Sequence, residues 1–170
     1  MLQRKMKDQY IEAKSQGLKI IFIDEAIFSP ATALQRSWSN KKISIEIKDQ
    51  RSKIKTQALI AGISEDLGLE SYMIKSRSFN QESYIEFLEM IRIKYPDRPL
   101  VLFMDNLSVH KSRLVMQVYE DLKITPIFNV PYSPQYNGIE RYWFLIKQIY
   151  KKMILKAILK DQRINVIRMI

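Results

Sequence analysis

Three acidic side chains stand where apolar or loop segments give way to the next element. Asp24 closes the apolar part of KIIFIDEA (19–26), Asp105 closes that of LVLFMDNLSVHKS (100–112), and Glu140 lies in PYSPQYNGIERYW (131–143). Between Asp105 and Glu140 run 34 residues, 106–139. The chain has no cysteine, which removes thiolate metal sites and disulfides and leaves hard oxygen donors. Such a set suits Mg²⁺, which takes few carboxylates and keeps waters and substrate oxygens as its other ligands. Two such ions roughly 3.5–4 Å apart neutralise a phosphodiester and ready an oxygen nucleophile near neutral pH. The candidate chemistry is cutting or joining of nucleic acid, and the 28 Lys+Arg against 18 Asp+Glu, a formal charge of +10, agree with a polyanionic partner.

Each of these residues also has a plainer explanation. Asp24 is a reasonable turn residue after a strand, and Asp105-Asn106 is ordinary turn chemistry. The pair gains weight because two strands end alike. If those strands are neighbours, about 5 Å apart, their carboxylates share one ion. Like charges that close are costly without a cation. Glu25, next to Asp24, turns to the opposite face if the strand continues. Asn137 is placed to cap the next helix, which makes Glu140 the reciprocal partner of a capping box. His110 is the single histidine. It cannot build a multi-histidine metal site, and either contacts a phosphate or sugar or makes a hydrogen bond at a helix start. No Gly-x-Ser-x-Gly elbow and no Gly-rich phosphate loop is present, and the chain holds four glycines, so serine-nucleophile and ATP-driven chemistry are disfavoured.

The elements that must position these groups follow from periodicity. At 170 residues and 46% hydrophobic content, one domain with a real core is expected. Residues 2–16 read as a short polar helix stopped at Gly17, burying little. Ile20–Ile23 form a buried-type strand. Alternating Ile43, Ile45 and Ile47 suggest a half-exposed strand in a basic stretch. QALIAGIS (57–64) and LESYMIKS (69–76) make a hairpin across Glu65–Gly68. A helix near 80–94 ends at Tyr95-Pro96, followed by a strand at 100–104, a helix near 111–122 and a strand at 125–130. After the loop 131–136, a helix or helix pair runs nearly to the C-terminus. Paired strands followed by βαβ units predict an α/β fold with a mixed sheet and helices on its faces. The N-terminus lacks the apolar core of a secretory signal. No apolar run reaches the roughly 18–20 residues that span a bilayer, and a cytoplasmic, nucleoid-associated chain with no membrane partner is expected.

Assembled, the segments IDEAIF (23–28), Trp38, IKTQALIAGIS (54–64), YIEFLEMI (84–91), LFMDNLSVHKS (102–112) and PYSPQYNGIERYWFLIK (131–147) resemble the catalytic domain of DDE transposases. The closer likeness is to the bacterial insertion-sequence branch of the mariner-like superfamily. It covers most of residues 18–150. The resemblance implies a ribonuclease H-like, mixed five-stranded sheet flanked by helices, with Asp24, Asp105 and Glu140 holding two Mg²⁺ ions for which Mn²⁺ substitutes. It also implies water-driven strand cleavage at transposon ends and attack of the freed 3′-hydroxyl on target DNA. By matching position, Asn106 and His110 belong to the second-aspartate motif, and Tyr132, Ser133, Pro134 and Asn137 to the approach to the glutamate.

Two departures from the family pattern stand out. Gly138 replaces the usual Pro, which adds freedom worth about 1 kcal/mol in helix propensity and is expected to loosen Glu140. The family's N-terminal helix-turn-helix region is expected either in a separate reading frame or lost, so that 1–17 is its linker helix, 18–152 the catalytic domain and 153–170 a C-terminal helix packed on or trailing it. Arg36, Lys41, Lys42, Lys111, Arg141, Lys147 and Lys151 are the candidate contacts to double-stranded DNA. A homodimer is expected in the active complex. The competing functions are a nuclease or resolvase of the same fold, which cuts without joining, and a decayed or domesticated copy that binds without cutting.

Overall fold

A computed structural model describes residues 2–29 and 55–159. The expected strand at 43–47, Trp38, Arg36, Lys41, Lys42 and the chain from 160 onward lie outside the described residues. The elements are α1 (Leu2–Ser15), β1 (Lys19–Phe28), β2 (Gln57–Ser64), β3 (Gly68–Ser76), α2 (Gln81–Lys94), β4 (Leu100–Met104), α3 (Arg113–Asp121), β5 (Ile124–Phe128) and α4 (Ile139–Leu159). Short 3₁₀ turns at Val109–Lys111 and Pro134–Tyr136 precede α3 and α4.

One five-stranded sheet of order β3-β2-β1-β4-β5 results. β3, β2 and β1 are antiparallel neighbours, whereas β1, β4 and β5 run parallel. The hairpin and the βαβ units are thus where the sequence pattern puts them. Pro126 is tolerated because β5 is an edge strand, where a missing N–H need break no ladder.

Period-2 alternation divides the core between the two faces. Phe22, Val101 and Phe103 point to the face covered by α1 and α4. Ile21, Ile23, Leu100, Leu102 and Met104 point to the face covered by α2 and α3. Despite its polar sequence, α1 buries Met6 and Ala13 in the first of these cores and sets Tyr10 against it. The helix stops at Gly17, whose φ of +67° lets its N–H reach Lys14 and the next N–H reach Ala13. α4 is unbroken from Ile139 to Leu159, and Ile154 is fully buried in the same core. On the other face, Gly62 lets α2 approach β2: a Cβ there would stand 2.9 Å from a methyl of Ile21 and 3.8 Å from Ile91.

β1 is longer than its apolar run implies. It continues to Phe28 because β2 pairs with it as far as Phe28–Gln57, and Ala26 and Phe28 are buried. Asp24 therefore lies within the strand rather than at its end. It does mark where β1 leaves β4, since the last recorded pair of that parallel ladder is Phe22–Phe103.

Candidate active site

Register alone brings the two aspartates together. Two residues beyond the Phe22–Phe103 pair lie Asp24 on β1 and Asp105 just after β4, where two parallel neighbours paired at about 4.8 Å begin to part. Alternation turns Asp24 to the side of Phe22, the face on which α4 begins. Glu140 sits in the first turn of α4. All three line one open cleft of about 520 Å³, with Asn106, Leu107, Asn129 and the loop from Val130 to Pro134, and Asn137.

Asp24 is half-buried. Trp143 donates its indole N–H to Asp24 Oδ2 at 2.8 Å. Burial pushes the Asp24 carboxyl up to about 6, with the charges of Asp105 and Glu140 adding and hydrogen bonds from the Glu25 backbone and Trp143 opposing. Asp105 is more open. It accepts the Leu107 N–H at 3.3 Å, so the turn chemistry expected of Asp-Asn is present, and the same carboxylate still faces the cleft.

Glu140 does not act as a helix cap. α4 begins at Ile139, which makes Glu140 its second residue rather than its third. The Asn137 N–H, which a capping box would give to Glu140, is taken by the Pro134 carbonyl at 2.8 Å. Asn137 instead ties two parts of the site. Its Nδ2 donates to the Ile23 carbonyl at 3.3 Å, and its Oδ1 accepts the Ile139 N–H at 3.4 Å. The residue before Asp24 is thereby fastened to the turn before Glu140. Gly138 lies ahead of the helix, with a Cβ position 3.4–3.5 Å from the Phe22 ring. The helix-interior cost of glycine does not apply there, and the Asn137 bonds to Ile23 and Ile139 tie down the turn on either side of it.

His110 is buried on the opposite face. Its Nδ1 is 3.0 Å from Asp105 Oδ1 and its Nε2 is 3.6 Å from Glu25 Oε1. Neither contact is a well-aligned hydrogen bond. Burial disfavours the charged ring, but the two carboxylates outweigh it and raise His110 to about 9.

The approach loop is anchored by Asn129, which the sequence reading passed over. Its N–H donates to the Met104 carbonyl at 2.7 Å and its Nδ2 to the Ser133 carbonyl at 2.7 Å. Tyr132, at the cleft mouth, is fully exposed with φ of +56°. Trp143 was also missed as a site residue, whereas Glu25 turns to the opposite face as alternation predicts. Trp143 reads as one member of an apolar helical stripe, and nothing local shows that its N–H meets Asp24.

The basic candidates are dispersed. Arg141 and Lys147 are exposed on α4, and Lys151 is half-buried further along it. The Lys111 ammonium lies over the Phe128 ring at 4.7 Å from its centroid. None of these four lines the cleft.

The donor set fits a hard divalent cation in kind: three carboxylates face one cleft, and burial, with the other two charges adding, already raises the proton affinity of Asp24. Among the described residues, no group of three His, Cys, Asp or Glu side chains stands close enough to enclose an ion unaided. The carboxylates line an open site, as a cation completed by water and substrate oxygens needs.

A mixed five-stranded sheet with helices on both faces and carboxylates at the β1–β4 junction defines a ribonuclease H-like fold. The chain belongs to the DDE superfamily endonucleases, whose family model matches residues 19–162. Comparison with curated proteins finds no match.

Among solved structures, the fold is similar to the Mos1 transposase paired-end complex with left transposon end (TM-score 0.62, 16% identity, 92% of this chain and 47% of that one). It is also similar to the catalytic domain of Mos1 mariner transposase (TM-score 0.58, 14% identity, 95% and 71%). A third likeness is to a chain in a structure of the simian T-cell lymphotropic virus intasome with a PP2A regulatory subunit (TM-score 0.58, 18% identity, 81% and 41%). The chain therefore spans less than half the length of two of these relatives. No described helix is long and apolar enough to cross a membrane.

Proposed function

We propose that this chain is the catalytic portion of an insertion-sequence transposase, cleaving DNA strands at transposon ends and joining the freed 3′-hydroxyl to target DNA. The observation that carries this reading is the meeting of Asp24, Asp105 and Glu140 in one cleft from three separate elements. Asp24, Asp105 and Glu140 would hold two Mg²⁺ ions, with Mn²⁺ as substitute; solved Mos1 catalytic domains are described with each metal. Bound there, the cations would neutralise the phosphate and activate the attacking oxygen.

The chain's own residues supply the positioning. The Trp143 N–H holds the Asp24 carboxylate, Asn137 links β1 to the start of α4, and Asn129 secures the loop that walls the cleft. Arg141, Lys147 and Lys151 follow α4 away from Glu140. At 1.5 Å per residue the last two lie roughly 10 and 16 Å along the axis, a reach suited to successive phosphates. Arg36, Lys41, Lys42 and Lys111 are further candidate contacts. We also propose residues 18–152 as the catalytic unit, 1–17 as a linker to a helix-turn-helix region, and a homodimer as the active complex on double-stranded DNA.

The test is Mg²⁺-dependent cleavage of DNA carrying the transposon ends. Asp24→Asn, Asp105→Asn and Glu140→Gln should each abolish cleavage while unfolding cooperatively. Full activity in any one removes its assigned role. Cleavage without joining in a strand-transfer assay selects the nuclease or resolvase reading, and DNA binding without cleavage selects the non-enzymatic one.

A further inference from the structure

Behind the cleft lies a group that this reading does not use. Glu25 follows Asp24 in β1, so alternation turns it to the face covered by α2 and α3. There the His110 imidazole spans from Glu25 (3.6 Å, through Nε2) to Asp105 (3.0 Å, through Nδ1). The ring is 1% exposed. It stacks on Tyr84 with centroids 4.4 Å apart and planes at 29°. Tyr84 is fixed in turn by a 2.8 Å bond to the Tyr119 hydroxyl, and both hydroxyls meet the Met104 sulfur. One rigidly seated ring thus joins the two strands that carry Asp24 and Asp105.

Asp105 needs such support. It stands just beyond the end of β4, its side chain is 37% exposed, and besides its contact with His110 it accepts the Leu107 N–H at 3.3 Å. A carboxylate so placed has rotamer freedom to lose when it binds anything. Ligand side chains are commonly held by partners behind them, and removing such a partner costs about 10–100-fold in metal affinity.

We propose that His110 and Glu25 form a positioning pair that fixes the Asp105 carboxylate, from behind the sheet, at the level of Asp24. The pair rests on the metal-dependent reading above, and its test separates the two. Mn²⁺ binding to the full chain without DNA is followed by calorimetry and electron paramagnetic resonance, beside DNA affinity in EDTA. His110→Asn keeps a donor where Nδ1 faces Asp105. His110→Gln keeps one where Nε2 faces Glu25 and loses the other.

The expected result is Mn²⁺ affinity within about threefold of wild type for His110→Asn, and about 10–100-fold weaker binding for His110→Gln. Glu25→Gln should weaken Mn²⁺ at least about threefold, with DNA affinity unchanged throughout. Equal losses in the Asn and Gln variants would show that His110 only fills space, and would overturn the proposal. Should the histidine variants fail to fold, Glu25→Gln decides, because its side chain is 24% exposed and is replaced by an isostere. Wild-type Mn²⁺ affinity in Glu25→Gln overturns the pair alone. Absence of Mn²⁺ binding by the wild type overturns the metal-dependent reading and the pair with it.

Discussion

Replacing Asp24 by asparagine should stabilise the metal-free protein while abolishing its activity. The Asp24 carboxyl is pushed up to about 6 by burial and by the charges of Asp105 and Glu140, against an ordinary 3.8. Between these values the folded chain holds a proton that the unfolded chain has released. Stability therefore falls as pH rises from about 4 to about 6 and then levels off. At 1.36 kcal/mol per pH unit the gap amounts to about 3 kcal/mol. Screening at the open side of the cleft reduces the expected effect to about 1–3 kcal/mol.

Asparagine has nearly the same shape, can still accept the Trp143 N–H, and carries no charge. Urea unfolding in EDTA should give equal midpoints for wild type and Asp24→Asn near pH 4. At pH 7.5 the variant's midpoint should be higher by about 0.5–1 M. His110, raised to about 9, contributes stability that is full below 6.5 and fades as pH climbs through 9. It is common to both proteins and cancels in the difference. Saturating Mn²⁺ should then raise the wild type and leave the variant unmoved, since only a ligand that binds the folded state shifts the balance. A variant no more stable than wild type at pH 7.5, or a gap as large at pH 4, would refute the reasoning.

Three further outcomes follow from particular contacts. Trp143→Phe keeps the ring in the core but removes the bond to Asp24; a charge-assisted bond of about 1.5–3 kcal/mol predicts a roughly 10–100-fold higher Mn²⁺ requirement for cleavage. Asn137→Ala leaves the Ile23 carbonyl and the start of α4 without their partner, and should cost about 1–3 kcal/mol in urea unfolding together with a fall in kcat. Gly62→Ala drives a Cβ onto Ile21 beneath α2 and should destabilise by about 1–3 kcal/mol in urea unfolding.

Much of the architecture is legible in local pattern. Continuous apolar runs mark β1 and β4, two strand-like segments around Glu65–Gly68 mark the hairpin, and the 3.6-residue spacing of Tyr84, Phe87, Leu88 and Ile91 marks α2. Asp24, Asp105 and Glu140 stand out as candidates because acidic residues at such junctions are conspicuous, and because their neighbours resemble a known pattern. The length of β1 was not legible. Asp24 to Phe28 are held in the strand by β2, whose paired residues lie 29 to 37 positions away in sequence.

Residue types and spacing were enough to nominate the carboxylates and the hard-cation chemistry they suit. Which groups meet was decided by register and by which face each side chain takes. Parallel pairing of β1 with β4 sets Asp24 level with Asp105, and the turn before α4 denies Glu140 its capping bond. Packing of α4 on the sheet delivers the Trp143 N–H to Asp24, while alternation along β1 sends Glu25 to the histidine behind. These contacts join residues up to 119 positions apart. No local propensity encodes such a distance, because only the closed sheet and its packed helices fix both ends.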